Sequence, residues 1–198
     1  MWYPLEKIDD LNDNTLSEGE IYQGYFKFIN TYENNIQSLV ELVTHFQMSI
    51  NLKLSQSNFA NANLLWWKFD GYELRECDFN GTYISGTSFR KCILQHSTFE
   101  SAIADRTLFI NSHLVDCIFS FAQLAASEFS ESILKNIHFD DSNLEGAYFC
   151  DANLEEVSFC SAILVAANFD DATLDNVSFD DADLTNADLT NARIINAS

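Results

Sequence analysis

The chain has 198 residues, 47% of them apolar, so it can bury a core, and its six glycines and one proline exclude a linker or low-complexity chain. Ten Lys and Arg stand against 30 Asp and Glu, a net charge of −20 that repels nucleic acid and anionic membranes and favours basic partners. No apolar run approaches the roughly 18 residues of a membrane span. The five cysteines are an odd number without metal-type spacing, as expected in a reducing cytoplasm.

Residues 1–50 predict a helical N-terminal capping region. Met1-Trp2-Tyr3-Pro4-Leu5-Glu6 lacks the basic start and apolar run of a secretory signal, so a cytoplasmic location is expected. Ser17-Glu18-Gly19-Glu20 has the form of a capping box. After it, Ile21, Tyr25, Phe28, Ile29 and Tyr32 recur at helical spacing, and Ile36, Leu39, Val40, Val43 and Phe46 do the same. Two amphipathic helices, or one bent helix, would fold over the first coil of the C-terminal segment.

From residue 51 to 198 the pattern changes to a period of five. Large apolar residues stand at every fifth position from Leu54 and Phe59 to Leu189 and Ile194, 29 in succession, and only Ala104 is small. Two residues before each centre, from Cys77 to Ala192, stands Ala, Ser, Thr, Cys, Val or Ile. A helix repeats at 3.6 residues and a strand at 2, so neither accounts for this. Five residues with one large and one small inward position describe a chain that turns a corner every pentad. Successive coils then stack at strand spacing, and each depends on its neighbours for burial.

The pattern resembles the pentapeptide-repeat family, whose motif is A(D/N)LXX. Ala152-Asn153-Leu154-Glu155-Glu156, Ala182-Asp183-Leu184-Thr185-Asn186 and Ala187-Asp188-Leu189-Thr190-Asn191 match it outright. The resemblance implies an all-β solenoid, a right-handed quadrilateral β-helix of about seven coils with four pentads per coil. Residues 20 apart then share a wall, which places Phe59 to Phe179 on one wall and Phe69 to Phe169 on the opposite one, with offset ring stacking along the axis.

Along this repeat, Leu52, Trp67 and Tyr72 occupy positions that elsewhere hold small residues, which predicts first coils widened to dock the helices, with Trp66-Trp67 in that interface. Ala104 should leave a void or a local shift in its wall. Ile103, Leu108, Ile110, Val115, Ile118 and Phe121 occupy outward positions within about one coil, a candidate apolar partner surface. Cys77, Cys92 and Cys117 take the small inward position, whereas Cys150 and Cys160 follow Phe149 and Phe159 on opposite walls and are more exposed. His96 and His113 fall near one wall as surface residues. The sequence carries no catalytic set, metal cluster or cofactor motif, so a non-enzymatic role is expected.

Between residues 136 and 192 there is no Lys or Arg. Asp140, Asp141, Glu155, Glu156, Asp170, Asp171, Asp180 and Asp181 are the acidic candidates for a partner surface there. The expected function is a protein-binding or scaffold module, without direct nucleic-acid or membrane contact. The alternative follows from the resemblance to quinolone-resistance members, which implies a DNA mimic that binds and inhibits or protects a topoisomerase such as DNA gyrase. This sequence lacks the inserted loops and the C-terminal dimerisation segment of those members. The repeat-like C-terminal coil, Asn191 to Ser198, is the expected site of any homodimer contact.

Overall fold

The computed structural model describes residues 54–198. The predicted helical capping region, its capping box and Leu52 lie outside the described residues. From Leu54 onward the chain is a β-solenoid with seven three-residue strands, β1 (Glu73–Arg75), β2 (Ile93–Gln95), β3 (His113–Val115), β4 (Ile133–Lys135), β5 (Asn153–Glu155), β6 (Thr173–Asp175) and β7 (Arg193–Ile195). They form one parallel sheet in chain order, in a register of 20 residues (Leu74 on Leu94, Leu94 on Leu114). Six full turns therefore separate β1 from β7.

This strand-bearing side is wall A, centred on Leu74, Leu94 and their equivalents. Wall B comes next with Phe59, Phe79 and Phe99, then wall C with Leu64, Ile84 and Ala104, then wall D with Phe69, Phe89 and Phe109. Walls B, C and D stack through single parallel bridges, for example Asn58 to Asp78, Tyr83 to Ile103 and Leu108 to Glu128.

The corners have one recurring conformation. Every fifth residue from Gln56 to Asn196 has positive φ, 25 non-glycine residues between 50° and 65° and the four glycines Gly71, Gly81, Gly86 and Gly146. Left-handed backbone costs an L-residue roughly 1–2 kcal/mol, which Asn, Asp and Gly tolerate best. Those three types fill 16 of the 29 corners. After walls B, C and D the corner closes as a four-residue turn, as when Ala62 N–H donates to the Phe59 carbonyl (2.9 Å). Wall A lacks that bond, so its segments stay extended enough to pair as strands; Cys77 N–H donates instead to Ser97 Oγ (3.0 Å).

The interior is a two-column aromatic stack. Within each column adjacent Phe rings lie nearly parallel with centroids 4.6–5.3 Å apart, as for Phe79–Phe99 and Phe159–Phe179. Between columns they meet edge to face at 5.4–6.1 Å, as for Phe129–Phe139 and Phe119–Phe129. Both are preferred aromatic geometries. The ring distances do not support widened first coils: Phe59 and Phe69 are 5.6 Å apart, within the range of the later coils. Trp67 is buried against Phe69 at 6.0 Å, but Trp66 is 70% exposed, so the pair is divided between core and surface. Its corner position explains this, because Trp66 is the positive-φ residue of its pentad (φ 64°) and points outward.

Ala104 does not draw the walls inward. Its N–H bonds the Gln123 carbonyl at 2.7 Å, and the Phe99–Phe109 rings remain 5.9 Å apart. The backbone ladder holds the coil open where the side chain is short.

Candidate functional site

Small inward polar residues are spent on the fold. Ser112 Oγ donates to the Phe89 carbonyl (2.6 Å) and accepts from Cys92 N–H (3.0 Å); Ser132 repeats this one coil on with Phe109 and Ser112. Cys77, Cys92 and Cys117 are buried, and burial pushes their thiols up to about 11, 12 and 12. They are neutral packing groups rather than nucleophiles. Cys150 and Cys160 are half-buried on walls D and B, as expected, and burial raises the Cys150 thiol as well. Among the described residues no group of three His, Cys, Asp or Glu is arranged to hold a metal, and no helix is long and apolar enough to cross a membrane.

The outer surface is therefore where this fold presents chemistry. The predicted apolar belt is not one surface. Ile103 lies on wall C, Leu108 and Ile110 on wall D, Val115 on wall A and Ile118 on wall B, with Phe121 at the corner between B and C. Ile103, Ile118 and Phe121 are exposed, while Leu108, Ile110 and Val115 are half-buried. Residues close in sequence are spread round the rod, whereas residues 20 apart are neighbours.

The acidic candidates obey the same rule. Asp140, Asp141, Asp180 and Asp181 share wall B and its corner, Glu155 and Glu156 lie on wall A, and Asp170 and Asp171 on wall D. Some are engaged. Glu155 Oε1 pairs with Lys135 Nζ at 2.6 Å. Asp140 pairs with His138 Nδ1 at 3.2 Å and accepts from Ser158 Oγ and from Cys160 N–H (3.2 Å). Asp141, Glu156, Asp171, Asp180 and Asp181 are exposed.

Charge is segregated along the axis over more of the rod than the cation-free span of residues 136–192. Residues 54–113 carry five Lys and Arg against six Asp and Glu; residues 114–198 carry two against sixteen. The motif's Asn or Asp also acquires a structural role. Asp183 and Asp188 each accept from the N–H and hydroxyl of a threonine two residues on, Thr185 and Thr190, which hold both carboxyls below the usual carboxylate range. Each carboxyl thereby closes an Asx-type turn within the rod while staying exposed.

Two family models match, "Pentapeptide repeat region" over residues 72–149 and "Pentapeptide repeats (8 copies)" over residues 162–198, together more than half of the chain. No curated protein matches. Similar solved structures include HetL, a pentapeptide repeat protein involved in heterocyst differentiation regulation from the cyanobacterium Nostoc sp. strain PCC 7120. It shares 18% identity over 77% of this chain and 93% of its own, with a TM-score of 0.29. A trypsin-treated form of QnrB1, a plasmid-mediated fluoroquinolone resistance protein, shares 18% identity over 72% of this chain and 91% of its own, with a TM-score of 0.42. With its period of five, its 20-residue coil and its matches to both models, the chain belongs to the pentapeptide-repeat family.

Proposed function

We propose that this chain is a non-catalytic protein-binding rod whose C-terminal half engages a basic protein surface. Charge density carries the reading. Residues 114–198 have a net charge of −14, two Lys and Arg against sixteen Asp and Glu. At 20 residues per coil and about 4.8 Å per coil they span roughly 20 Å of axis, or about one net negative charge per 1.5 Å. Duplex DNA carries about one per 1.7 Å. A protein surface built to hold a duplex would meet a comparable charge density here, on a rod fixed by its backbone ladder.

The broad test uses a Lys/Gly peptide of 18 residues as a basic probe. It should bind the full chain at low salt, weaken steeply as salt rises, and bind less well when Asp170, Asp171, Asp180 and Asp181 are changed to Asn. Absence of binding at low salt would end the reading. The narrower form, DNA mimicry directed at a topoisomerase, is supported by the same charge density. It is tested by gyrase supercoiling with and without a quinolone. Inhibition or protection that fades with salt and is lost in the fourfold Asn variant is the expected result, and no effect at large excess removes gyrase as the target.

A further inference from the structure

Wall C carries more exposed large apolar side chains than any other wall among the described residues. Of the eleven exposed large apolar side chains among the described residues, five stand on this wall: Leu65, Trp66, Tyr83, Ile103 and Ile163. Its eighteen outward positions in the first six coils include only three charged residues, Asp105, Arg106 and Glu145, against nine in the same coils of wall D. Asp105 is partly occupied, since its carboxylate accepts from Ala125 N–H at 3.0 Å. Tyr83 and Ile103 are paired in register on adjacent coils. Trp66 is held along the corner because Gly86, one coil on, has no side chain: a Cβ there would meet the six-membered ring of the indole. In the later coils the same corner carries Ala126, Gly146 and Ala166, leaving the wall low and smooth.

The rims are charged. Asp141 and Asp181 line the edge shared with wall B, and Glu128 and Asp188 stand at the first outward position of wall D, all in the later coils. A ligand on wall C therefore meets Tyr83, Ile103 and Ile163, with the polar pair Gln123 and Asn143 between the last two, an aromatic anchor at one end and carboxylates on both sides at the other. From Asn63 to Ile163 the wall is five coils long, about 24 Å at 4.8 Å per coil. That is the length of about 16 residues of α-helix, and helices pack along the faces of parallel sheets.

We propose that wall C is a docking surface for an amphipathic helix of a partner protein, with its apolar stripe on Tyr83, Ile103 and Ile163, Trp66 against one end, and Lys or Arg flanks reaching the carboxylates of both rims. A second copy of this chain does not fit, because its own acidic rims would face these. The inference rests on the basic-partner reading above and assigns it a surface and a partner class.

The test compares two fluorescently labelled 18-residue peptides of equal charge on the full chain: a Leu/Lys sequence patterned as an amphipathic helix, and the Lys/Gly peptide. The Leu/Lys peptide should bind at least tenfold more tightly at moderate salt. Tyr83→Asp with Ile163→Asp should cancel that advantage, and so should Trp66→Ala, which removes an exposed side chain without adding charge. Ile133→Asp on the opposite wall A, at a residue 38% exposed, should leave it unchanged. Equal affinity for the two peptides, or an equal loss from Ile133→Asp, would overturn the wall C assignment while the charge-based reading stands. Failure of both peptides to bind at low salt would remove both.

Discussion

At the residue scale, four of the five positions of a pentad have distinct physical tasks. The centre fills the interior, the small residue before it lets the walls meet, and the corner residue takes left-handed backbone. The remaining Asn or Asp caps its own turn, as when Asn168 Oδ1 accepts from Asp170 N–H at 2.8 Å and Asp78 Oδ1 from Asn80 N–H at 2.9 Å. Without it that N–H must find water. Asn168→Ala should therefore lower stability by about 0.5–1.5 kcal/mol, the net worth of one such hydrogen bond. Asn168→Asp keeps the acceptor but sets another carboxylate beside Asp170 and Asp188, so it should recover only part of that loss at low salt. Urea denaturation of the three proteins at two ionic strengths checks both statements. Equal midpoints for the Ala variant and the parent would mean that the Asx turn adds nothing.

At the scale of a coil, the side chains at the small inward position form columns along the axis, and their hydrogen bonds differ sharply. Ser112 is bonded as both donor and acceptor to the preceding coil. Thr87 and Thr107 each donate to the carbonyl 23 residues earlier, of Leu64 at 2.6 Å and Ile84 at 2.9 Å. Ser127 continues that column and by the same rule would use the carbonyl of Ala104, yet its hydroxyl is buried with no partner among the described residues. An unmade buried hydrogen bond is destabilising, whereas removing the polar atom is nearly neutral. Ser112→Ala should cost about 1–3 kcal/mol, because it leaves Cys92 N–H with a weaker set of partners and the Phe89 carbonyl without its hydroxyl donor. Ser127→Ala should be neutral or mildly stabilising. Thermal unfolding of the pair decides the matter, and a Ser127→Ala loss as large as that of Ser112→Ala would show that its hydroxyl is satisfied after all.

The same columns explain how much of the fold is legible in the sequence. The period of five, the Phe walls and the burial of Cys77, Cys92 and Cys117 are written in residue size and hydropathy, which recur without interruption. The corners are not, because positive φ there is accepted by residues as unlike as Trp66, Lys91, Phe121 and Ala166; the backbone ladder imposes it whatever the side chain. The strand character of wall A alone is also silent, since its centres are Leu and Ile much as in wall C. The predicted apolar belt groups neighbours in sequence, whereas the exposed apolar group on wall C is assembled from residues 20 apart.

At the scale of the whole molecule, the most pronounced feature is the imbalance of charge between two halves built from one repeat. Nothing in the stacking requires it, since residues 54–113 build the same coils with near-neutral charge. In the later coils like charges recur in line: Glu131, Asp151 and Asp171 occupy the same corner of wall D one coil apart. At about 4.8 Å, the coil spacing, neighbouring carboxylates repel in the folded rod and separate on unfolding. The carboxylates therefore oppose folding of the half that carries them, and screening should relieve it. Raising ionic strength from about 0.01 M to 0.15 M shortens the Debye length from roughly 30 to 8 Å. Over that interval the melting temperature should rise, while surface ion pairs such as Lys135–Glu155 would change it little in the opposite direction. The increase should shrink when Asp151 and Asp171 are both changed to Asn. A salt-independent melting temperature in the parent would mean that the carboxylates splay far enough into water to avoid one another. The acidic half would then present a softer, more dispersed surface than duplex DNA does, and a partner built to hold a duplex would grip it less tightly.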